Sequence, residues 1–450
     1  MNVARLLLAS ALVASHLSVV LARVFRFAAS SNQGRPLKEQ LPWYHSADEI
    51  HERLGQLASS CQGADLDVSQ RSEINAANAA GEVVQLDVVH VRRRDASPSA
   101  RAMLVFGEHA RELISPESAL HFLEALCGSG PEAQRASAVL DQVAFTIVPN
   151  ANPLGRKLVE EGYYCKRTNE DGVDLNRNFG DAHRQSDSGD AAGDDQNPGP
   201  SGFSEPESRI LKALVEEERP EVYVSVHSGA YLLGTPFGYT ADSAPEHESD
   251  MLEMLRPISQ KYCAGQCPYG NLARLIHYDS PGCDIDYVAE SAGVPYAFTW
   301  EIYVGPKYRQ RYIEEARMQD APGGDSDGSD VDLSLLAKSR RRALLRARRE
   351  AARAVAANPE AAMGIAGCLE QFNPATAEET RAVVERWTSA FLDLTGEVAA
   401  RKAPKPTPPA TGVASLASPP LGGAAAGAPG AAAASDVVGA SGGIAAVVER

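Results

Sequence analysis

Two places in this chain carry side chains able to do chemistry together. The first is Gly107-Glu108-His109-Ala110-Arg111-Glu112, in which His109 and Glu112 are three residues apart. The second is His227, at the end of an apolar run. Two imidazoles and one carboxylate can hold zinc while leaving a fourth position for water, as a catalytic rather than a structural zinc requires. Such a metal acidifies its water toward neutrality, so hydrolysis is the first chemistry to consider. Taken singly the signals are weak. A His and a Glu three apart are more often a surface pair, and a lone His is more often a buried, hydrogen-bonded one.

The elements that would position these residues strengthen the reading. Short apolar runs at Val83–Val91, Met103–Phe106, Val143–Val148, Val222–Val226 and Tyr296–Trp300 are of strand length and are bounded by turn or polar residues. Helical patterns lie between them, notably Pro116–Leu126 and Ser204–Glu218. Ser46-Ala47-Asp48-Glu49 opens another with a capping-box signature. Strands alternating with helices predict an α/β unit over about Leu41 to Tyr303, a mixed twisted sheet flanked by helices on both faces. His109 and Glu112 then follow one strand, His227 follows a second, and Glu301 follows a third. Ligands of open α/β sheets bind beyond the carboxyl ends of strands, so three strands deliver two His and two Glu to one rim. The stretch Lys166–Phe179 reads on its own as a polar surface loop. Its two arginines and adjacent asparagines nevertheless suit carboxylate recognition and oxyanion stabilisation.

The chain has 450 residues, 44% of them hydrophobic, enough for a large core. Its net charge of −16 argues against nucleic acid as a partner. Arg5 followed by the apolar Leu6–Ala22, with Val20-Leu21-Ala22 at the end, reads as a secretory signal peptide over residues 1–22 rather than a retained anchor. No stable membrane span is expected, and the product is placed outside the cell or in the secretory lumen. Seven cysteines fit an oxidising compartment and leave at least one unpaired. Cys263 and Cys267 read as a local disulfide or as buried thiols, and no Asn-x-Ser/Thr sequon occurs. After Gly305 the pattern changes. A Gly/Ser/Asp-rich loop spans Asp320–Asp332, and Lys338–Arg353 is a strongly basic helical run, read as an exposed helix in an insertion over about 306–366. The sharper readings of that run are a processing site or an anionic surface contact. Phe372–Val398 returns to an amphipathic helix with Val383, Val384, Trp387, Phe391 and Leu392 on one face. The catalytic unit thus extends over 41–400, and the Ala/Pro/Gly-rich 401–450 is expected to be disordered.

Several motifs now stand together in order: His109-x-x-Glu112, Asn150-x-Asn152-Pro153, Arg167-x-Asn169, Gly172-Val173-Asp174-Leu175-Asn176-Arg177-Asn178-Phe179, Gly199–Glu207, His227-Ser228 and Phe298-Thr299-Trp300-Glu301. With them the chain resembles the zinc metallocarboxypeptidases of the carboxypeptidase A family, itself a standing example of two-His, one-Glu catalytic zinc. The resemblance covers roughly Tyr44 to Tyr303, with Phe372–Val398 as a final element.

The resemblance implies one zinc per chain, held by His109, Glu112 and His227. It implies Glu301 as general base, Arg167 as oxyanion stabiliser, and Asn176 and Arg177 as the clamp on a substrate's terminal carboxylate. Tyr278 falls at the family's mobile tyrosine, although Ser280-Pro281-Gly282-Cys283 departs from the usual Ser-Gly-Gly. Ile285 falls at the main specificity position and implies hydrophobic or aromatic C-terminal residues. Neighbouring Asp284 would instead favour Lys or Arg if the register shifted by one. Gly229 stands where the family often has tyrosine, which alters a peptide subsite. About 86 residues separate Arg23 from His109, so the large amino-terminal inhibitory prodomain is expected to be missing. The implied function is a monomeric exopeptidase acting on peptide or protein C-termini. Its rivals are a deacylase of acyl-amino acids, a basic-residue-specific carboxypeptidase, and a non-catalytic module that captures C-termini. An interaction role for the basic run could coexist with the enzyme.

Overall fold

The computed structural model describes residues 34–75, 83–180, 183, 195–319 and 359–402. The signal segment 1–22, the basic run Lys338–Arg353 and the tail beyond residue 402 lie outside the described residues. Eight strands form one sheet: β1 (Asp65–Ile74), β2 (Val83–Arg92), β3 (Ala100–Phe106), β4 (Val143–Val148), β5 (Val222–His227), β6 (Leu232–Thr235), β7 (Tyr269–Asn271) and β8 (Tyr296–Glu301). Their order is β1-β2-β4-β3-β5-β8-β6-β7. The central β4, β3, β5 and β8 are mutually parallel, while β2 and β6 run antiparallel to that core. The five apolar runs of the sequence thus become strands. Residues missing from that reading are the polar β1 and the short β6 and β7, which have too few apolar residues for a period to show.

Successive strand residues point to opposite faces, and Met103 through Phe106 are all buried, so both faces of the sheet are covered. The covering helices include α1 (Ala47–Ser60), α2 (Ile114–Leu126), α3 (Ala133–Leu140), α4 (Pro153–Glu160), α5 (Pro206–Glu218), α6 (Glu248–Cys263), α7 (Gln310–Gln319), α8 (Pro359–Phe372) and α9 (Ala377–Lys402). Helix α1 starts on the capping box: Ser46 Oγ accepts Glu49 N and Glu49 accepts Ser46 N. The amphipathic helix read over Phe372–Val398 is α9, with Val383, Val384, Trp387, Phe391 and Leu392 buried, but it starts only at Ala377. Phe372 ends α8, and Asn373-Pro374 interrupts the chain before α9, because proline disfavours helical backbone in the residue before it.

Disulfides join Cys61 to Cys127, Cys165 to Cys368, and Cys263 to Cys267, while Cys283 is a buried free thiol. Of the two alternatives for Cys263 and Cys267, the local bridge is the one formed. No helix among the described residues is long and apolar enough to cross a membrane.

The carboxyl ends of β3 and β8 are anchored by an aromatic nest. Phe391 of α9 stacks on Trp300 at 5.5 Å and meets Phe106 edge-on at 5.6 Å. Trp387 packs on Trp300, and its indole N–H donates to Ile302 O at 2.7 Å. Phe106 is followed by the turn at Gly107, and Trp300 by Glu301, the last residue of β8. Phe391→Ala is expected to cost about 3–5 kcal/mol by leaving a cavity under both strands, read as a lowered urea midpoint. A loss below about 1 kcal/mol would mean that the nest does not anchor them.

Candidate metal centre and substrate cleft

From β3 the chain crosses to β4 on one side of the sheet, then to β5 on the other, so the topology reverses between β3 and β5. A crevice opens at such a point beyond the strands' carboxyl ends. Gly107 turns the chain out of β3 with φ +68°, where a Cβ would come within 2.8 Å of Asn150 and Pro116. His227 closes β5 and pairs in register with Glu301, the last residue of β8.

The loop after β3 brings His109 and Glu112 against His227. His109 Nδ1 lies 2.8 Å from Glu112 Oε1 and 3.0 Å from His227 Nδ1, and His227 Nδ1 lies 3.1 Å from Glu112 Oε2. Four tetrahedral ligands about 2.0–2.1 Å from zinc would be about 3.3 Å apart, so the two imidazoles and the Glu112 carboxylate, with one oxygen toward each ring, stand within about half an ångström of that spacing. All three side chains are buried. Glu108, His109 and His227 also bring one donor each within 4.8 Å of one another. Glu108, however, meets His227 through Nε2, the ring edge away from Glu112, at 3.4 Å. Glu112, which addresses the nitrogens both rings share, is therefore the better third ligand.

Each ring is backed on its other edge. His109 Nε2 lies 3.3 Å from Asp174 Oδ1, and Asp174 Oδ2 accepts Arg167 Nε at 2.8 Å. His227 Nε2 faces Ser225 Oγ at 2.8 Å, Asn176 Nδ2 at 3.2 Å and Glu108. Carboxylates behind metal-binding imidazoles fix the tautomer and raise ligand basicity. Burial works against a charged Asp174, yet Arg167 outweighs it and holds the carboxyl well below its usual range. Burial likewise opposes charge on Glu112, and the two imidazoles overcome it. Asp174 lies inside the Gly172–Phe179 motif, and Glu108 directly precedes His109. Nothing local in the sequence tells that either carboxylate turns back onto a ring.

Around this centre stand the other predicted residues. Arg167 is partly exposed, and its Nη1 reaches within 3.1 Å of His109 Nδ1. Glu301 is partly exposed and accepts Ala230 N at 3.1 Å. Burial and the nearby Glu112 push its carboxyl upward. Asn176 and Arg177 lie on one 3-10 turn capped by Asp174, and Asn176 Oδ1 accepts Asp284 N at 3.0 Å. The unusual Ser280-Pro281-Gly282-Cys283 packs flush on that turn. Gly282, at φ +78°, would drive a Cβ to 2.4 Å from Arg177 O. Asn178 ties the Gly199–Glu207 motif beneath the turn, donating to Pro198 O, Ser201 O and Ser204 Oγ while accepting Glu205 N. Tyr278 is half-buried and close enough to Arg167 to act on it electrostatically. Ile285 is fully buried on the one-turn helix Asp284–Asp286. Both flanking carboxylates are engaged: Asp284 accepts Tyr223 Oη and Ile285 N, and Asp286 accepts Gly238 N and Tyr239 N. Burial raises each of these two carboxyls to about 6.

Glu108→Gln keeps the shape behind His227 and removes the charge. Zinc affinity is expected to fall about 10–100-fold in a competition titration, and an unchanged affinity would leave Ser225 and Asn176 as the groups that orient the ring. Gly229 has φ +113°, and a Cβ there would meet the Phe372 ring at 2.1 Å. Gly229→Ala is therefore expected to cost at least about 1–3 kcal/mol. A wild-type melting curve would contradict that close packing.

The model of the family "Zinc carboxypeptidase" matches residues 53–318. Zinc carboxypeptidase A 1 of Anopheles gambiae is 30% identical over 279 residues, 58% of this chain and 60% of that one. Carboxypeptidase B of Helicoverpa zea is 29% identical over 214 residues, 44% of this chain and 49% of that one. The chain thus spans about half to three-fifths of the length of these curated relatives. The structure of bovine thrombin-activatable fibrinolysis inhibitor in complex with tick carboxypeptidase inhibitor superposes with a TM-score of 0.55 at 18% identity. It covers 80% of this chain and 98% of that one, a likeness of fold. With its sheet topology, the donor triad at the switch point and a family model matching more than half its length, the chain belongs to the zinc carboxypeptidase family.

Proposed function

We propose that this protein is a zinc-dependent exopeptidase that removes the C-terminal residue of peptides or proteins, preferring hydrophobic or aromatic residues. The observation that carries the reading is the convergence of the His109, Glu112 and His227 donors within 3.1 Å of one another, beside Arg167 and Glu301. Zinc held by those donors would supply a water acidic enough to attack an amide carbonyl. Glu301 takes the proton of the attacking water and returns it to the leaving amine. Arg167, fixed through Nε by Asp174, directs its remaining N–H groups at the oxyanion. Asn176 and Arg177 bind the terminal carboxylate, Tyr278 closes over the substrate, and Ile285 floors the side-chain pocket. The engagement of Asp284 and Asp286 by protein donors favours an apolar pocket over one for Lys or Arg. Three disulfides support a secreted or lumenal enzyme, which acts as a monomer with one zinc.

The test is release of C-terminal Phe, Leu, Lys, Arg or Glu from peptides, with and without chelator, by wild type and Glu301→Gln. Release of Phe or Leu that chelator abolishes and Glu301→Gln reduces by at least about 10²-fold is expected. Hydrolysis confined to acyl-amino acids would make it a deacylase, and zinc binding without any hydrolysis would make it a capture module. Ile285→Asp is expected to move preference toward Lys or Arg, and an unchanged order of substrates would remove Ile285 from the pocket.

A base works only when ionised, so the rate falls as pH drops through the Glu301 pKa. Burial and Glu112 raise that value, and a bound cation acts in the opposite direction. The acid limb of the kcat/KM profile is expected to vanish in Glu301→Gln. Its persistence would assign the limb to another group.

A further inference from the structure

The sheet does not fix the two ligand loops by itself. One short segment, Gln371-Phe372-Asn373 at the end of α8, touches both. Asn373 Oδ1 accepts Ile114 N at 3.1 Å, and its Nδ2 donates to Arg111 O at 2.9 Å, so the amide brackets Glu112 in the first loop. Phe372 O accepts Ser228 Oγ at 2.8 Å, and Gln371 Nε2 donates to Gly229 O at 3.0 Å, in the two residues after His227. The Phe372 ring lies between the loops. The Arg111 guanidinium sits 4.3 Å from its centroid, and its edge fills the space into which a side chain at position 229 would project. Gly305 N donates to Gln371 O at 2.9 Å, tying the segment to the chain just beyond Glu301. The Cys165–Cys368 disulfide ties the same helix to the residues leading into Arg167.

We propose that Gln371-Phe372-Asn373 is a positioning strap for the metal centre. It sets the separation of the His109–Glu112 and His227 loops, with Phe372 in the space left by Gly229. The inference rests on the reading of those loops as a zinc site. Three donors that must meet at about 3 Å come from loops more than a hundred residues apart, so metal affinity depends on what holds the loops in register. Losing an outer contact of this kind costs about 10–100-fold in affinity. Asn373 bonds only backbone groups, so its removal leaves every donor atom in place and loosens only their spacing.

The experiment is a zinc titration of the full chain against a competing chelator, paired with melting of the metal-free protein. It uses Asn373→Ala, Phe372→Ala, Phe372→Leu and Leu394→Ala, the last a buried residue of α9 that takes part in none of these bonds. Asn373→Ala and Phe372→Ala are expected to bind zinc about tenfold or more weakly, and Phe372→Leu to recover most of that loss. Leu394→Ala is expected to lower the melting midpoint while leaving zinc affinity within about twofold. Wild-type affinity in Asn373→Ala, or an equal loss in Leu394→Ala, overturns the strap. If Asn373→Ala does not fold, Asn373→Asp decides by the same readout, since it keeps an acceptor for Ile114 N and loses the donor to Arg111 O. A wild type that binds zinc without hydrolysing peptides sinks the proposed function while the affinities still decide the strap. A wild type that binds no zinc overturns both.

Discussion

Two imidazole nitrogens about 3 Å apart, each facing one oxygen of the same carboxylate, are electron-rich donors crowded into a buried place. Such a cluster persists only where something positive balances it and where the surrounding structure prevents the loops from relaxing apart. Most of the arrangement around His109, Glu112 and His227 answers one of those two needs. Arg167 reaches toward the cluster and is itself fixed by Asp174. Ser228 N donates to Glu112 Oε2 at 3.0 Å. Asn152 Nδ2 holds Glu108 O, which fixes the backbone just before His109.

The sheet supplies the coarse alignment. Strands β5 and β8 are paired residue for residue up to His227 and Glu301, so a ligand and the proposed base sit side by side on neighbouring strand ends. Strand β3 stops one step earlier, opposite Val226, and its chain must turn through Gly107 to bring His109 back toward β5. Aromatic packing of Phe391 against both Phe106 and Trp300 keeps those strand ends level. The centre therefore inherits its precision from parallel-sheet register and from one helix that follows all the strands in the chain.

The side of the cleft assigned to the substrate is built differently. The Asn176–Arg177 turn leans on Asp174, on the Asp284 amide and on the close approach of Gly282. Asn178 gathers the Gly199–Glu207 motif beneath it. Glu207 in that motif is buried, and its carboxyl is pushed up to about 8 by burial first and then by Glu170. Burial thus favours the neutral form of this acid. The motif's bonds run to Asn178 and Asn169, which flank the turn.

Much of this was legible in the chain itself. Apolar runs of strand length marked the central strands, and the Ser46–Glu49 box marked a helix start, because both signals are local and periodic. His109, Glu112, His227 and Glu301 stood out because each follows a strand, and strand ends gather at one rim. The polar edge strand β1, the break at Asn373-Pro374 and the pairing of Cys165 with Cys368 were not legible to the same degree. Their signals are weak or depend on partners far along the chain. Tertiary structure alone decided that Glu108 and Asp174 back the two imidazoles, that Asp284 and Asp286 spend their carboxylates on protein donors, and that Phe372 occupies the space beside Gly229. Sequence determines which donors exist and on which elements they ride. Which edge of a ring meets which carboxylate depends on loops closing over long separations, and only the packed chain sets that.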